Sequence, residues 1–167
     1  AQKAIEAYQK ILDKNPKDEE AYKAIAYLYG ATKADDKLRQ WITARAASDA
    51  TDPEKRAEAY IVLASKDWDC SFKITELPSN KTTTVDTSNN KATVSYKKPK
   101  DQKDFDTAQM CVKQGLGEAE NAIKFDPNNE SAWSYKTNLL LEASKLAEMD
   151  GKSDVKQEYQ KQYEVAL

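Results

Sequence analysis

Apolar residues recur three and four positions apart along most of the chain, with polar residues between them. Four such stripes are Ala4, Tyr8 and Ile11; Tyr22, Ile25, Ala26 and Tyr29; Leu38, Trp41, Ile42 and Ala46; and Tyr60, Leu63 and Ala64. A period of three to four residues is typical of an amphipathic helix that buries one face. The pattern therefore predicts a series of packed helices.

One phrase recurs at the ends of these stripes: Asn or Asp, then Pro, a polar acidic spacer, Ala and an aromatic residue. Its three copies are Asn15-Pro16 to Ala21-Tyr22, Asp52-Pro53 to Ala59-Tyr60, and Asp126-Pro127 to Ala132-Trp133. The residue before a proline avoids the helical region, whereas proline itself is tolerated in the first turn of a helix. Acidic side chains in that turn interact favourably with the helix dipole. Each copy therefore predicts the end of one helix and the start of the next.

These stripes and boundaries resemble the tetratricopeptide repeat, a pair of helices with aromatic, large and small residues at fixed positions. The matching residues are Tyr22-Ile25-Ala26-Tyr29, Ala4-Tyr8-Ile11-Pro16, Tyr60-Leu63-Ala64, Gly115-Ala119-Ala122-Pro127 and, more weakly, Trp133 with Tyr159-Tyr163-Ala166. The resemblance covers about residues 1–69 and 105–167. It implies an all-α fold in which about three antiparallel helix pairs stack as a right-handed superhelix, forming a single domain over residues 1–167.

Residues 71–103 depart from this pattern and are predicted to be a non-helical insertion between the two helices of one repeat. Runs such as Thr82–Val85 and Ala92–Tyr96 are rich in β-branched residues, which favour strands. Asn89-Asn90 lies between them and tolerates the positive φ of a tight turn. The insertion is therefore either a β-hairpin with its turn at Asn89-Asn90 or a disordered polar loop. A hairpin would need Phe72, Ile74, Val94 or Tyr96 to pack on the helices, since two strands alone are marginally stable.

The charge and the length of the apolar runs argue against nucleic acid and membranes as partners. The net charge is -2, with 26 basic and 28 acidic residues, so no basic field favours nucleic acid or an anionic membrane. Leu139–Leu141 is a run of three aliphatic residues, and the longest uninterrupted apolar runs, 24–29 and 59–64, have only six residues. Spanning a bilayer needs about 20 apolar residues, so no membrane insertion is predicted.

The residue inventory argues against catalysis, metal binding and a cofactor. The chain contains no histidine, which is the usual general base and the commonest metal ligand, and only two cysteines. Gln114–Glu118 lacks the lysine of a phosphate-binding loop, so its two glycines are predicted to serve helix packing. Acidic groups such as Glu118 and Glu120 are expected to face water. We therefore predict that the protein is not an enzyme.

The two cysteines, Cys70 and Cys111, bracket the insertion on the two helices of one repeat. Antiparallel packing of these helices would bring the two sulfurs within reach of each other, and a disulfide there closes a loop of about 40 residues, worth roughly 4 kcal/mol. The alternative is a pair of buried free thiols, as in many cytosolic proteins. The disulfide is favoured, and it implies an oxidising compartment, so a periplasmic or secreted location is expected, in a bacterial source.

In the family that the chain resembles, the first helices of successive repeats line a concave groove that holds a peptide or a partner domain. Carried onto this sequence, the partner-binding residues would be Lys23, Tyr27, Ile61, Ser65, Trp68, Tyr135 and Asn138. A subset of the family clamps the terminal carboxylate of its ligand. Lys23 matches one clamp position, but Tyr27 and Tyr135 do not supply others, which argues against that role.

The expected function is thus a non-catalytic scaffold that binds a protein or peptide segment. Two alternatives remain open. The chain could self-associate through exposed repeat ends, because the array begins with an unpaired second helix and lacks an obvious polar capping helix. It could also be an accessory domain of a larger secreted or periplasmic protein or enzyme.

Overall fold

The computed structural model describes residues 1–88 and 91–166, which form seven helices and one two-stranded antiparallel sheet. The elements are α1 (Gln2–Lys14), α2 (Glu19–Ala31), α3 (Asp35–Ala47), α4 (Pro53–Thr75), β1 (Lys81–Asp86), β2 (Lys91–Tyr96), α5 (Gln102–Phe125), α6 (Glu130–Met149) and α7 (Ser153–Ala166). A 3-10 turn over Pro78–Asn80 precedes β1. No helix in the described ranges is both long and apolar enough to cross a membrane.

The helix boundaries predicted from the recurring phrase are confirmed. The Asp18 carboxylate accepts a hydrogen bond from the Ala21 N–H at 2.9 Å and caps α2. Pro53 is the first residue of α4, and the Asn129 side chain accepts from the N–H groups of Ser131 and Ala132 to cap α6. The caps of α2 and α6 satisfy backbone donors that have no partner within the helix, whereas α4 begins on a proline, which has no such donor.

Each helix packs on its neighbour in sequence from α1 to α7, most extensively α4 on α5, and α4 also packs on α6. The pair α4 and α5 is antiparallel: the rings of Tyr60 and Phe125 stack with centroids 5.8 Å apart at one end, and Cys70 meets Cys111 towards the other. The chain is therefore a helical-repeat structure with a small sheet inserted between α4 and α5.

Small residues let the helices approach closely. Fully buried alanines lie at the contacts between helices: Ala46, Ala57, Ala64, Ala108, Ala119, Ala122 and Ala132. At Gly115, an added Cβ would lie 2.7 Å from Leu139 Cδ2 and 3.0 Å from Asp67 Cβ, so any larger residue would have to displace the Leu139 side chain between α5 and α6. The packing role predicted for Gly115 is confirmed, whereas a Cβ at Gly117 would meet nothing within 4 Å, so that part of the prediction is wrong.

The insertion is shorter than predicted. Helix α4 continues to Thr75 and α5 begins at Gln102, so residues 71–75, 102 and 103 are helical. Ser71 and Thr75 are fully buried on α4 and their hydroxyls find partners inside the fold. Tertiary packing therefore outweighs the weak helix propensity of these residues.

The rest of the insertion is a β-hairpin, the first of the two alternatives left open by the sequence. Lys81 pairs with Tyr96, Thr83 with Val94 and Val85 with Ala92 in an antiparallel register. The turn predicted at Asn89-Asn90 lies outside the described residues. Tyr96 and Ile74 pack against a core cluster that contains Phe105, which supplies the helix contact that such a hairpin needs.

Candidate binding surface

A groove lies between α2 and α4, with α3 beneath it, and has an open volume of about 220 Å³. Its apolar floor consists of Ala26, Ile42, Ala59 and Val62. Val62 is 43% exposed, although it is a large apolar residue in the middle of a helix. An apolar concavity flanked by charged side chains is the usual form of a site for a protein side chain. We call it the α2–α4 groove.

Charged residues line the rim of this groove, and most of them are already paired. Arg45 binds Glu19, and Lys55 lies 2.5 Å from a Glu58 carboxylate oxygen. Lys23 also lines the groove and is exposed. Among the described residues, Lys23 makes no ion pair, so its ammonium is available to an acidic group.

Tyr22 forms one wall of the groove. The Arg45 guanidinium lies 3.9 Å from the centre of its ring, and Trp41 stacks on that ring at 5.4 Å. Burial raises the pKa of Tyr22 to about 12. The phenol of Tyr22 therefore stays neutral across the physiological range.

The partner-binding residues predicted from the resemblance are distributed over α2, α4 and α6. Lys23 and Tyr27 lie one turn apart on α2, and Tyr27 is 74% exposed. Ile61, Ser65 and Trp68 follow each other at helical spacing on α4 and are half-buried.

At the far end of that α4 face, aromatic rings meet between α4 and α6. The Trp68 ring lies 6.3 Å from Tyr135 and 4.9 Å from Phe72, measured between centroids. Trp68 and Tyr135 also pack against the buried cluster of Ala64, Ala119 and Leu139. Asn138 is half-buried on α6, three residues beyond Tyr135. The rings of Trp68 and Tyr135 therefore pack on the core and are also partly exposed to solvent.

A buried polar network lies beneath this aromatic cluster. Glu142 is 1% exposed and accepts hydrogen bonds from Ser71 Oγ at 3.0 Å and Thr75 Oγ1 at 2.7 Å. Lys145 Nζ donates to its other oxygen at 2.6 Å. Every polar group around this carboxylate is therefore used, which is the condition for burying a charge without a large penalty.

Glu76 joins this network to the hairpin. Its carboxylate accepts hydrogen bonds from Lys145 and Lys81, each at 2.7 Å, and from the Tyr96 hydroxyl at 2.9 Å. Burial tends to raise the pKa of Glu76, but these three hydrogen bonds outweigh it and lower the pKa from 4.5 to about 2. The base of the hairpin is thus held by charge as well as by packing.

We expect this anchor to be sensitive to acid. Because the pKa of Glu76 is lower in the folded protein than in the unfolded chain, its stabilisation is complete above about pH 4.5 and is lost as the pH falls towards about 2. At neutral pH, Glu76→Gln should lower the free energy of unfolding by about 1–2 kcal/mol, since water partly screens a carboxyl that is 22% exposed. Urea titrations of both proteins over this pH range should converge at the acid end. A difference that is independent of pH would contradict the assignment.

The predicted disulfide between Cys70 and Cys111 is confirmed, with Cα atoms 6.2 Å apart. It joins α4 and α5, five residues before the end of α4 and nine residues after the start of α5. Together with Glu76 and the buried network, it fixes the inserted hairpin against the helices.

A second groove lies between α5, α6 and α7 and has a volume of about 340 Å³. Apolar side chains, including Leu116, Leu146 and Val155, line it beside Lys113 and Lys152. None of the predicted partner-binding residues lines it. This second groove is the alternative place where a partner segment could bind, so a substitution in it is a control for one in the α2–α4 groove.

Sequence reasoning missed the buried carboxylates, because it assigned acidic residues to solvated faces. Asp67 is almost fully buried and accepts two hydrogen bonds from Arg39, at 2.8 and 3.0 Å. Glu142 is buried as described above. A signal existed for Glu142, which shares a helical face with Leu139 and Leu146 and lies three residues before Lys145.

A family model described as the protein prenyltransferase alpha subunit repeat matches residues 116–143. The match begins in the second half of α5, crosses the Asp126-Pro127 boundary and ends in α6. That family consists of helical repeats related to the tetratricopeptide type, while no model specific to the tetratricopeptide repeat matches. No curated protein and no solved structure matches the chain. The comparison supports a helical-repeat protein.

Proposed function

We propose that this protein is a non-catalytic scaffold that binds a segment of another protein along its first helices, α2, α4 and α6. In this proposal the three helix pairs stack as a right-handed superhelix of tetratricopeptide type, and the first helices form its inner surface. The single observation that carries the proposal is the α2–α4 groove, which presents an exposed apolar floor between two helices of this set. Helical-repeat proteins commonly use such extended surfaces for binding.

The groove favours a partner segment that inserts one large apolar side chain. The floor residues Ala26, Ala59 and Val62 leave room for that side chain. The charged residues of the rim are already paired with one another, so they offer little attraction to a charged group of the partner. An acidic residue beside the apolar anchor would meet Lys23. Tyr27, on the exposed side of α2, offers a ring for stacking.

The stripe on α4 extends this surface. Ile61, Ser65 and Trp68 occupy one helical face and lead from the α2–α4 groove to the aromatic cluster with Tyr135. A segment that follows α4 would therefore meet an apolar pocket first and a flat aromatic surface one or two turns later. Binding is expected to rest on these anchors rather than on net charge.

The location proposed for the protein is an oxidising compartment, either the periplasm or the exterior of the cell. The supporting observation is the disulfide, since such bonds persist mainly where thiols are not kept reduced. Mass spectrometry of alkylated, unreduced protein isolated from its natural source should find no free thiol.

Val62→Glu should abolish binding at the groove. The new carboxylate would place a charge on the apolar floor, and a segment that buries its anchor there would lose at least about tenfold in affinity. Because Val62 is 43% exposed, the substitution should leave the thermal midpoint almost unchanged. The probe is a phage-displayed library of random dodecapeptides, selected on the wild-type protein and then tested on the variant.

Val155→Glu is the matched control. Val155 is 42% exposed, is also a valine on a helix, and lines the second groove rather than the first. Peptides selected on the wild type should keep their affinity for this variant. If Val155→Glu abolished binding while Val62→Glu did not, the binding surface would lie between α5 and α7 and the proposal would be wrong.

Self-association is the second candidate, and one observation favours it. Helix α1 packs mainly on α2, and the large apolar side chain of Ile11 on α1 is exposed. A second copy could cover that face by stacking repeat ends. However, α7 is polar and has no fully buried residue in its described part, so the other end resembles a cap. A molar mass that rises with concentration, and falls back to the monomer with Ile11→Glu, would favour this candidate.

A further inference from the structure

The second groove, between α5, α6 and α7, is a gap that the packing of the helices leaves open. Helices α5 and α7 both pack on α6 but scarcely touch each other. The floor of the gap is made by Val112 of α5 and by Leu146 and Ala147 of α6, which are almost fully buried. Its volume of about 340 Å³ lies in the range of sites that hold small organic molecules.

The second groove has a direction, because α5 and α6 run antiparallel. Phe105, near the start of α5, lies in one core cluster with Met149 at the end of α6. Further along α5, Gly115 faces Leu139 of α6. Helix α7 begins soon after α6 ends, so the start of α7 and the first half of α5 meet at the same end of the groove.

Positive charge exceeds negative charge at this end, which we call the lysine end because Lys113 and Lys152 line it. Among the described residues that line the groove, Asp150 carries the only carboxylate. Its two oxygens lie 3.0 Å from Lys98 Nζ and 2.6 Å from Lys152 Nζ, so one negative charge already serves two ammonium groups. The Lys113 ammonium has no ion pair or hydrogen bond with any described residue. An anion at the lysine end would therefore meet an unpaired positive charge.

The other end of the groove is apolar. Leu116 of α5 and Ala143 of α6 line it, and Tyr159 of α7 packs against the core cluster there. Of the described residues, none that lines this end is charged. The lining on α5 spans only about two helical turns, from Gln109 to Leu116, which suits a short molecule rather than a docked helix.

We propose that the second groove binds a small amphiphilic carboxylate, a molecule with an apolar body and one anionic head. The carboxylate pairs with Lys113 at the lysine end, and the apolar body lies over Leu146 towards Leu116. A cationic head would be repelled by the excess of lysine, and an uncharged head would leave the ammonium of Lys113 unused. This site is separate from the α2–α4 groove and does not depend on the function proposed for it.

The probe is octanoate, with octanol and octyltrimethylammonium as ligands of the same chain length but with uncharged and cationic heads. Binding is followed by NMR on protein with ¹³C-labelled methyl groups. We expect saturable shifts of the methyl groups of Leu146 and Val155 with octanoate, and an affinity at least about fivefold higher than that of octanol. The cationic ligand should not bind.

Lys113→Met removes the charge but keeps a long side chain, so it should lower the affinity for octanoate at least about fivefold and leave that for octanol unchanged. Lys161→Met is the matched control, because Lys161 is an exposed lysine of α7 that does not line the groove. Val155→Glu places a negative charge in the groove and should abolish binding of octanoate. Val62→Glu, in the α2–α4 groove, should have no effect.

The orientation of the ligand gives a further readout on the wild-type protein. The terminal methyl group of octanoate should show intermolecular NOEs to Leu116 and Ala143, at the apolar end, rather than to Val155. The proposal would be overturned by equal affinities for octanoate and octanol, by equal losses in Lys113→Met and Lys161→Met, or by the absence of saturable binding. Shifts centred on Val62 and Ala59 would place the ligand in the α2–α4 groove and would overturn it as well.

Discussion

Replacing both Cys70 and Cys111 with alanine should lower the free energy of unfolding by about 4 kcal/mol. The disulfide closes a loop between residues 41 positions apart, and its removal restores the conformational entropy of that loop in the unfolded chain. For a domain of this size the loss should shift the thermal midpoint by roughly 10 °C. Urea unfolding followed by circular dichroism measures the change.

The reduced wild-type protein is the control for this prediction. Reduction with dithiothreitol should bring its unfolding midpoint close to that of the double variant, while the variant itself should not respond to the reductant. A wild-type midpoint that is insensitive to dithiothreitol would show that the bond is absent or contributes nothing. Slower exchange of the α4 and α5 amides in the oxidised protein would locate the stabilisation where the disulfide lies.

Glu142→Ala should cost about 3–5 kcal/mol, because it leaves several polar groups without their partner. The buried hydroxyls of Ser71 and Thr75 would lose their acceptor, and Lys145 would lose one of its two carboxylates. Glu142→Gln keeps the shape and part of the hydrogen bonding, so it should cost less. The measurement is the free energy of urea unfolding at neutral pH.

Glu120→Ala is the matched control for the buried carboxylate. Glu120 is an exposed helical glutamate whose partner, Lys136, lies 3.8 Å away. Exposed pairs of this kind contribute little, so this variant should stay within about 0.5 kcal/mol of the wild type. If Glu142→Ala destabilised no more than Glu120→Ala, the buried network would not hold α4 and α6 together as described.

The helices could be predicted from the sequence because their signals are local. Pro16, Pro53 and Pro127 mark boundaries through backbone sterics alone, and the apolar stripes between them have a helical period. The disulfide followed from placing Cys70 and Cys111 on neighbouring helices. The boundaries and stripes needed no knowledge of distant contacts, whereas the disulfide prediction needed the antiparallel pairing that the resemblance implies.

The remaining features depend on contacts between residues far apart in sequence. Ser71 and Thr75 have modest helix propensity, and only their hydrogen bonds with Glu142, about 70 positions away, show why α4 extends through them. The hairpin could not be distinguished from a disordered loop because its anchors, Glu76 and Glu148, lie outside it. The partner-binding residues came from a resemblance and stay predictions, although Lys23 does line a groove.

The most direct test of the proposed scaffold is an NMR titration of the ¹⁵N-labelled wild-type protein. The titrant is a peptide selected from the random dodecapeptide library on the wild-type protein. We predict that the largest amide shifts cluster around Lys23, Tyr27 and Val62, on both sides of the α2–α4 groove. Shifts confined to α5 and α7, around Lys113 and Val155, would contradict the account.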